Sequence, residues 1–247
     1  MAHVIDLNAI AARLEGLEET IISKLIERAQ WKVNKVVYQP GQSGFCGETT
    51  KSLFAIRLQF QEEMDARFGR FCVPEERPFS TSLPSPQRLV NLPDTGLHLD
   101  DFCKVSLSKD VLQSYLSLIP RICIEGDDGQ YGSSVEHDVY AVQAIARRVH
   151  FGALYVAESK YQSDPHGYEA LIRIKDTQSL YEKLTRKEVE DKILQRIRDK
   201  VNTAQAGVNL VVRHKIDPEP VVNYYRDQVI PLTKQGEILY LLNRSGA

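Results

Sequence analysis

Apolar residues at helical spacing limit the folds open to this chain more than any other feature. Leu7, Ile10, Leu14, Leu17, Ile21 and Leu25 recur every three or four positions, laying one apolar stripe along a helix that reaches about Trp31. Leu53, Ile56, Phe60 and Met64, with Phe68 beyond them, repeat the pattern, and Val139, Val142, Ile145, Val149 and Val156 carry it onward from Val135. Val111, Tyr115, Leu118 and Ile122 predict another helix, bent or split by Pro120. Shorter helical pieces are expected over 168–174, 179–184 and 187–200. A last helix is expected from beyond Pro218 and Pro220 to about Asn243, kinked at Pro231. Between 72 and 100, Pro74, Pro78, Pro84, Pro86 and Pro93 exclude a long helix and predict an extended excursion. Only "VNLVVRHKI", residues 208–216, has the β-branched density of a strand. No repeat or linker divides the chain, so the expectation is one all-α, multi-helix domain over residues 1–247.

Charge and composition exclude several functions. A formal net charge of -2 over 247 residues leaves no electrostatic footprint for nucleic acid or an anionic membrane. Hydrophobic content of 43% and charged content of 26% are ordinary for a soluble globular protein. The first residues lack the basic and apolar regions of a secretory signal, and no apolar run nears the ~18 residues that span a bilayer. Cys46, Cys72, Cys103 and Cys123 are widely spaced, without C-x-x-C or histidines at ligand spacing, which reads as free thiols in a reducing compartment. A cytoplasmic protein without metal is expected. Glycines 126, 129 and 132 lack the spacing of a phosphate-binding loop. Ser133 with Glu136 three residues on reads instead as a capping box that starts a helix.

Against this background a few charges stand out. Arg148 and Lys160 lie on one long helical pattern, twelve residues apart, which in a regular helix separates them by ~120°. They share a face only if the helix absorbs one extra residue, and Gly152 marks a place for such a bulge; otherwise both are solvated. Arg186 and Glu190 stand at i and i+4, as a surface ion pair would. Thr233 and Glu237 have the same spacing. Glu237 lies among Val229, Leu232, Ile238 and Leu241, where a poorly solvated carboxylic acid would have a raised pKa; a surface glutamate is the plainer alternative.

Six segments in order, "LEETIISKLIERAQW", "PEERPF", "GDDGQYGS", "RRVHFGALYVAESKYQSD", "LTRKEVEDKIL" and "VIPLTKQGEILYLL", resemble the yeast- and plant-type chorismate mutases across nearly the whole chain. The resemblance implies an all-α homodimer that rearranges chorismate to prephenate with no cofactor, in the route to phenylalanine and tyrosine. By matching motif, Arg148 would clamp a substrate carboxylate, and Lys160 would reach a carboxylate and the ether oxygen. Glu190 would accept from the ring hydroxyl. Thr233 would line the opposite wall with Glu237, whose protonated form would be the second donor to the ether oxygen.

This chain also departs from the family pattern. The family's first helix carries an arginine seven residues before the position matched by Glu18; here that residue is Ala11, and Arg13 lies ~200° around the helix from it. The family spaces the Arg148 and Lys160 positions by eleven residues rather than twelve. Arg186 stands where the yeast-type pattern has asparagine. It either supplies the cation lost at Ala11 or merely pairs with Glu190. Family members bind aromatic amino acids through an Arg-Arg-Phe segment and a Gly-Ser pair. Gly132 and Ser133 match the pair, but "RFGRF" offers only Arg70, and Glu136 adds a negative charge, so feedback control is expected to be weak or absent. Two rivals follow: a catalytically silent homologue that binds an aromatic amino acid or a partner enzyme, and a pyruvate lyase acting on a related enolpyruvyl substrate.

Overall fold

The computed structural model describes residues 6–246, and among them every regular element is helical. Helix α1 is Leu7–Arg28, α2 is Leu53–Arg67 and α3 is Ser108–Ile122. Helix α4 covers residues 131–163 in three parts: Tyr131–Phe151, a π-turn at Gly152–Val156, and Ala157–Ser163. Three shorter helices follow, α5 at Pro165–Ile174, α6 at Thr177–Leu184 and α7 at Lys187–Ala204. Helix α8 covers residues 218–243 and is also tripartite: Pro218–Tyr224, a π-turn at Tyr225–Val229, and Ile230–Asn243. No helix among the described residues is long and apolar enough to cross a membrane.

Most of the expected periodicities fold as helices with their apolar stripes inward, but in α2 the buried apolar positions are Phe54, Ile56, Leu58 and Ala66, while Phe60, Met64 and Phe68 face out. Ile21, Ile22 and Leu25 of α1 meet Val135, Val139, Val142, Ile145 and Val149 of α4, and Tyr115 and Leu118 of α3 close the layer with Val221, Val222 and Val229 of α8. Burying a side chain of this size contributes roughly 1.5–3 kcal/mol. A second cluster joins Leu154, Ala157 and Tyr161 of α4 to Leu180 and Leu184 of α6 and to Tyr240 and Leu241 of α8. Residues 72–100 run without a helix beyond the short turn at Arg70–Cys72, as the prolines require.

Inside the first cluster lies a buried charge pair. Arg28 Nε donates to Asp138 Oδ1 at 2.6 Å, and the hydroxyls of Tyr38 and Tyr115 each donate to that carboxylate at 2.7 Å. The four remaining guanidinium hydrogens are shared among Trp31 O, Lys32 O and Cys123 Sγ, near Nη1, and Val33 O and Tyr38 Oη, near Nη2. This explains why α1 stops at Arg28 rather than Trp31: the guanidinium folds the following carbonyls back over the helix end. Both charges are satisfied several times over, which is what a buried ion pair needs to be tolerated.

The structure corrects three local expectations. Helix α4 starts at Tyr131, two residues before Ser133, so there is no Ser133–Glu136 capping box. Asp128 holds the approach instead, accepting from the backbone N–H groups of Lys32 and Gln130 and from Asn34 Nδ2, while Glu136 turns to Arg57 at 3.5 Å. The run 208–216 is loop and turn, built on Asn209, whose Oδ1 accepts from Val211 N and whose carbonyl accepts from Val212 N and Arg213 N. With no second strand to pair with, Val211 stays 90% exposed. Helix α3 continues through Pro120 to Ile122, the proline removing one i→i−4 donor only two residues before the helix ends. The irregularity expected at Pro231 takes the form of the π-turn just before it.

The two π-turn helices meet where glycines let them. A Cβ at Gly236 would lie 2.5 Å from Ala153 Cβ and 3.0 Å from Leu107 Cδ1. One at Gly152 would lie 2.7 Å from Thr233 Cγ2. Ala153 can yield only by moving backbone, so Gly236→Ala is expected to force α4 and α8 apart. Overpacking of this kind costs about 1–3 kcal/mol, and each kcal/mol lowers Tm by about 2–4 °C in a chain this long. Thermal denaturation checks it; an unchanged Tm would show that the contact is not tight.

Candidate active site

A cavity of ≈ 430 Å³ opens beside this crossing. Helix α1 contributes Leu7, Asn8, Ile10, Ala11 and Leu14 to its wall, and α4 contributes Arg148 and Lys160. Arg186 and Glu190 enter from the start of α7, and Thr233, Lys234 and Glu237 from α8. All six residues singled out for the site in the sequence, Arg148, Lys160, Glu190, Glu237, Thr233 and Arg186, therefore line one space.

The π-turn at Gly152–Val156 is the bulge that the spacing of Arg148 and Lys160 demands. It absorbs one residue, so the twelve-residue separation acts as eleven and the two cations fall within ~20° of each other around the helix. Arg148 is buried, and its Nη1 donates to Thr233 Oγ1 at 2.8 Å. Thr233 passes its own hydrogen to Val229 O, a carbonyl of the α8 π-turn, at 2.7 Å. Arg148 Nε is buried without a partner among the described residues. Lys160 Nζ donates to Leu184 O and to Glu237 Oε2, both at 2.9 Å.

Glu237 is 4% exposed. Burial pushes its carboxyl pKa up, and the nearby cations Lys160, Arg148 and Lys234 pull against that rise without cancelling it. On the opposite side Lys234 Nζ lies 2.6 Å from Glu190 Oε1 and donates to Thr185 Oγ1 at 3.0 Å. Glu190 is thus paired with Lys234, not with Arg186, and the expected i, i+4 pair does not form. Lys234 is the charged cavity residue that the sequence did not single out. In "PLTKQGE" a lysine beside a threonine looks like a solvated position, and only the crossing of α8 over α6 turns it inward.

Other expected residues lie elsewhere. Arg13 extends away from the cavity toward Glu75, at 3.7 Å, and over the Phe151 ring, so it does not stand in for a cation at Ala11. Arg70 is held by Asp65 Oδ2 at 2.8 Å, Gln143 Oε1 at 2.7 Å and Glu76 Oε2 at 3.0 Å. Gln143 is ten residues past Ser133, or ~15 Å along α4, so one chain does not bring Arg70 to Gly132 and Ser133. A second cavity, between α1 and α7, is lined by Arg196 and Lys200, which Glu15, Glu18 and Glu19 already engage. Among the described residues no group of three or more His, Cys, Asp or Glu side chains is arranged to hold a metal ion.

No protein-family model matches the chain. Individual proteins do. It is 36% identical over 256 residues to a chorismate mutase of Trichoderma parareesei, covering 98% of this chain and 94% of that protein. It is 34% identical over 250 residues to the cytosolic chorismate mutase 2 of Zea mays, covering 97% and 96%. Its fold superposes on the crystal structure of a Candida albicans chorismate mutase in complex with L-Trp with a TM-score of 0.89, at 33% identity, covering 98% of this chain and 92% of that one. Identity at this level over almost the full length, together with an all-helical fold of the same arrangement, establishes that the chain belongs to the yeast- and plant-type chorismate mutase family.

Proposed function

We propose that residues 1–247 act as one chorismate mutase domain that converts chorismate to prephenate without a cofactor. The observation that carries this reading is the π-turn that brings Arg148 and Lys160 to one face, opposite Thr233 and Glu237. The reaction is a unimolecular pericyclic shift, so it needs neither nucleophile nor redox centre. It needs a flexible dicarboxylate held in its reactive shape and donors aimed at the ether oxygen as charge grows there. Arg148 is buried, oriented by Thr233 and unpaired with any carboxylate, so it suits one substrate carboxylate. Lys160 and Glu237 already share a hydrogen bond; an ether oxygen between them would take one donor from each. Glu190, fixed by Lys234, would accept from the ring hydroxyl.

The test is loss of chorismate absorbance with purified protein, the product being identified as phenylpyruvate after acid treatment. The competing reading, a catalytically silent homologue serving as a regulatory subunit, draws on the uncharged α1 wall at Ala11; a folded protein that turns over no chorismate would favour it. We also propose that turnover responds weakly or not at all to phenylalanine, tyrosine and tryptophan. Arg70 is already committed to Asp65, Glu76 and Gln143, and Glu136 would repel an effector carboxylate. A several-fold change in rate with any of the three amino acids would refute this.

Glu237 gives a pH signature. The donor is its protonated form, so activity is retained while pH stays below the raised pKa and falls as pH climbs through it. Glu237→Gln keeps a donor that does not titrate, so its profile is expected to be flatter, with kcat lowered by about 10- to 100-fold from lost complementarity. A fall in that variant as steep as in the wild type would remove Glu237 from the role.

A cytoplasmic homodimer completes the proposal. Phe60, Met64 and Phe68, at 49%, 47% and 70% exposure, form an apolar stripe along α2 and its end, which a second copy would cover. Sedimentation velocity is expected to give a dimer that Phe60→Ser with Phe68→Ser weakens; a monomeric wild type would contradict it.

A further inference from the structure

The charges of the cavity pair off unevenly. Lys160 is matched by Glu237 and Lys234 by Glu190, which leaves two guanidiniums without a carboxylate, Arg148 and Arg186. Arg148 at least has Thr233. Arg186 has no hydrogen bond or ion pair among the described residues, and its side chain is exposed at the cavity wall. On the facing α1 wall every residue is uncharged: Leu7, Asn8, Ile10, Ala11 and Leu14.

The backbone position of Arg186 makes its identity harder to explain by folding. It is the N-cap of α7, with no side-chain capping bond. That position favours Ser, Asp or Asn, whose oxygen can accept from the first turn, and the positive end of the helix dipole disfavours a cation there. Its carbonyl accepts from Val189 N and Glu190 N, as any residue's would. The guanidinium contributes nothing to the cap and forms no pair with Glu190.

We infer that Arg186 is the anchor for the second carboxylate of the substrate, delivered from the α7 wall because the α1 wall supplies no cation. The inference rests on the reading of the cavity as a chorismate site. Two carboxylates then meet two unpaired guanidiniums, Arg148 at the closed end and Arg186 at the rim. Arg186 grips a carboxylate that takes no part in bond making or breaking, so its contribution is nearly equal in ground and transition states. Such uniform binding appears in KM rather than kcat.

Arg186→Asn is therefore expected to raise KM for chorismate roughly 10- to 100-fold, the range for a charge-assisted contact, with kcat nearly kept. The same substitution gives α7 a good N-cap, so Tm should rise by about 2–4 °C. A side chain with a purely structural role would not produce loss of affinity together with gain of stability. Adding Ala11→Arg to Arg186→Asn should recover most of the affinity from the other wall. Wild-type turnover is measured first, and its absence overturns the functional reading and this inference with it. With the wild type active, an unchanged KM in Arg186→Asn overturns the role of Arg186 alone. A double variant no better than Arg186→Asn overturns the exchange of one wall for the other.

Discussion

The site depends on how closely α4 and α8 approach. Gly236 sits against Ala153 and Gly152 against Thr233, with no room for a Cβ at either glycine. At this spacing Thr233 reaches Arg148 and Glu237 reaches Lys160, so both hydrogen bonds across the cavity are properties of the crossing. Each helix carries a π-turn beside the contact. The one in α4 sets the phase between Arg148 and Lys160. In α8 the Thr233 hydroxyl donates to the carbonyl of Val229, the last residue of the π-turn, and accepts from Arg148.

Around that crossing the charges are arranged economically. A cavity holding four cations would be costly if it were dry and unpaired, but Lys160 lies against Glu237 and Lys234 against Glu190, which leaves two guanidiniums without a carboxyl partner. Both lysines lean on neutral oxygens as well, Leu184 O and Thr185 Oγ1, so neither depends on its carboxylate alone. Glu237 is the group whose protonation burial alters most usefully. A carboxyl group amid three cations would ordinarily stay ionised, and only its desolvation raises the pKa.

Much of this was legible in the chain, for reasons that differ from residue to residue. Apolar spacing marked the helices because most of them bury one stripe in a core cluster, whereas that of α2 ends on the exposed Phe60, Met64 and Phe68. The one-residue excess between Arg148 and Lys160 called for a bulge, since helical phase is arithmetic. Where the reading failed, distant residues decided. Asp128 and Asn34, ninety-four residues apart, settle where α4 begins, and Ser133 has no part in it. Residues 208–216 have strand-like side chains, but nothing in an all-helical fold offers them a ladder. Lys234 was overlooked because its partners, Glu190 and Thr185, lie on another helix and a connecting turn, beyond the reach of local spacing.

The π-turn in α4 also bears on how the gene can drift. The family pattern that the sequence resembles spaces the two cation positions by eleven residues; here there are twelve, and the π-turn stores one residue as a local widening that leaves the helix on either side in phase. Insertions are usually expected in loops such as 205–217, where added length disturbs nothing downstream. Here a core helix accommodates an extra residue at the π-turn without turning its far end away from the cavity. Deleting one residue from 152–156 would by the same logic leave a regular helix of the family's length, with the same two side chains still facing inward. Tolerance to length change in this protein therefore tracks helical phase as well as exposure.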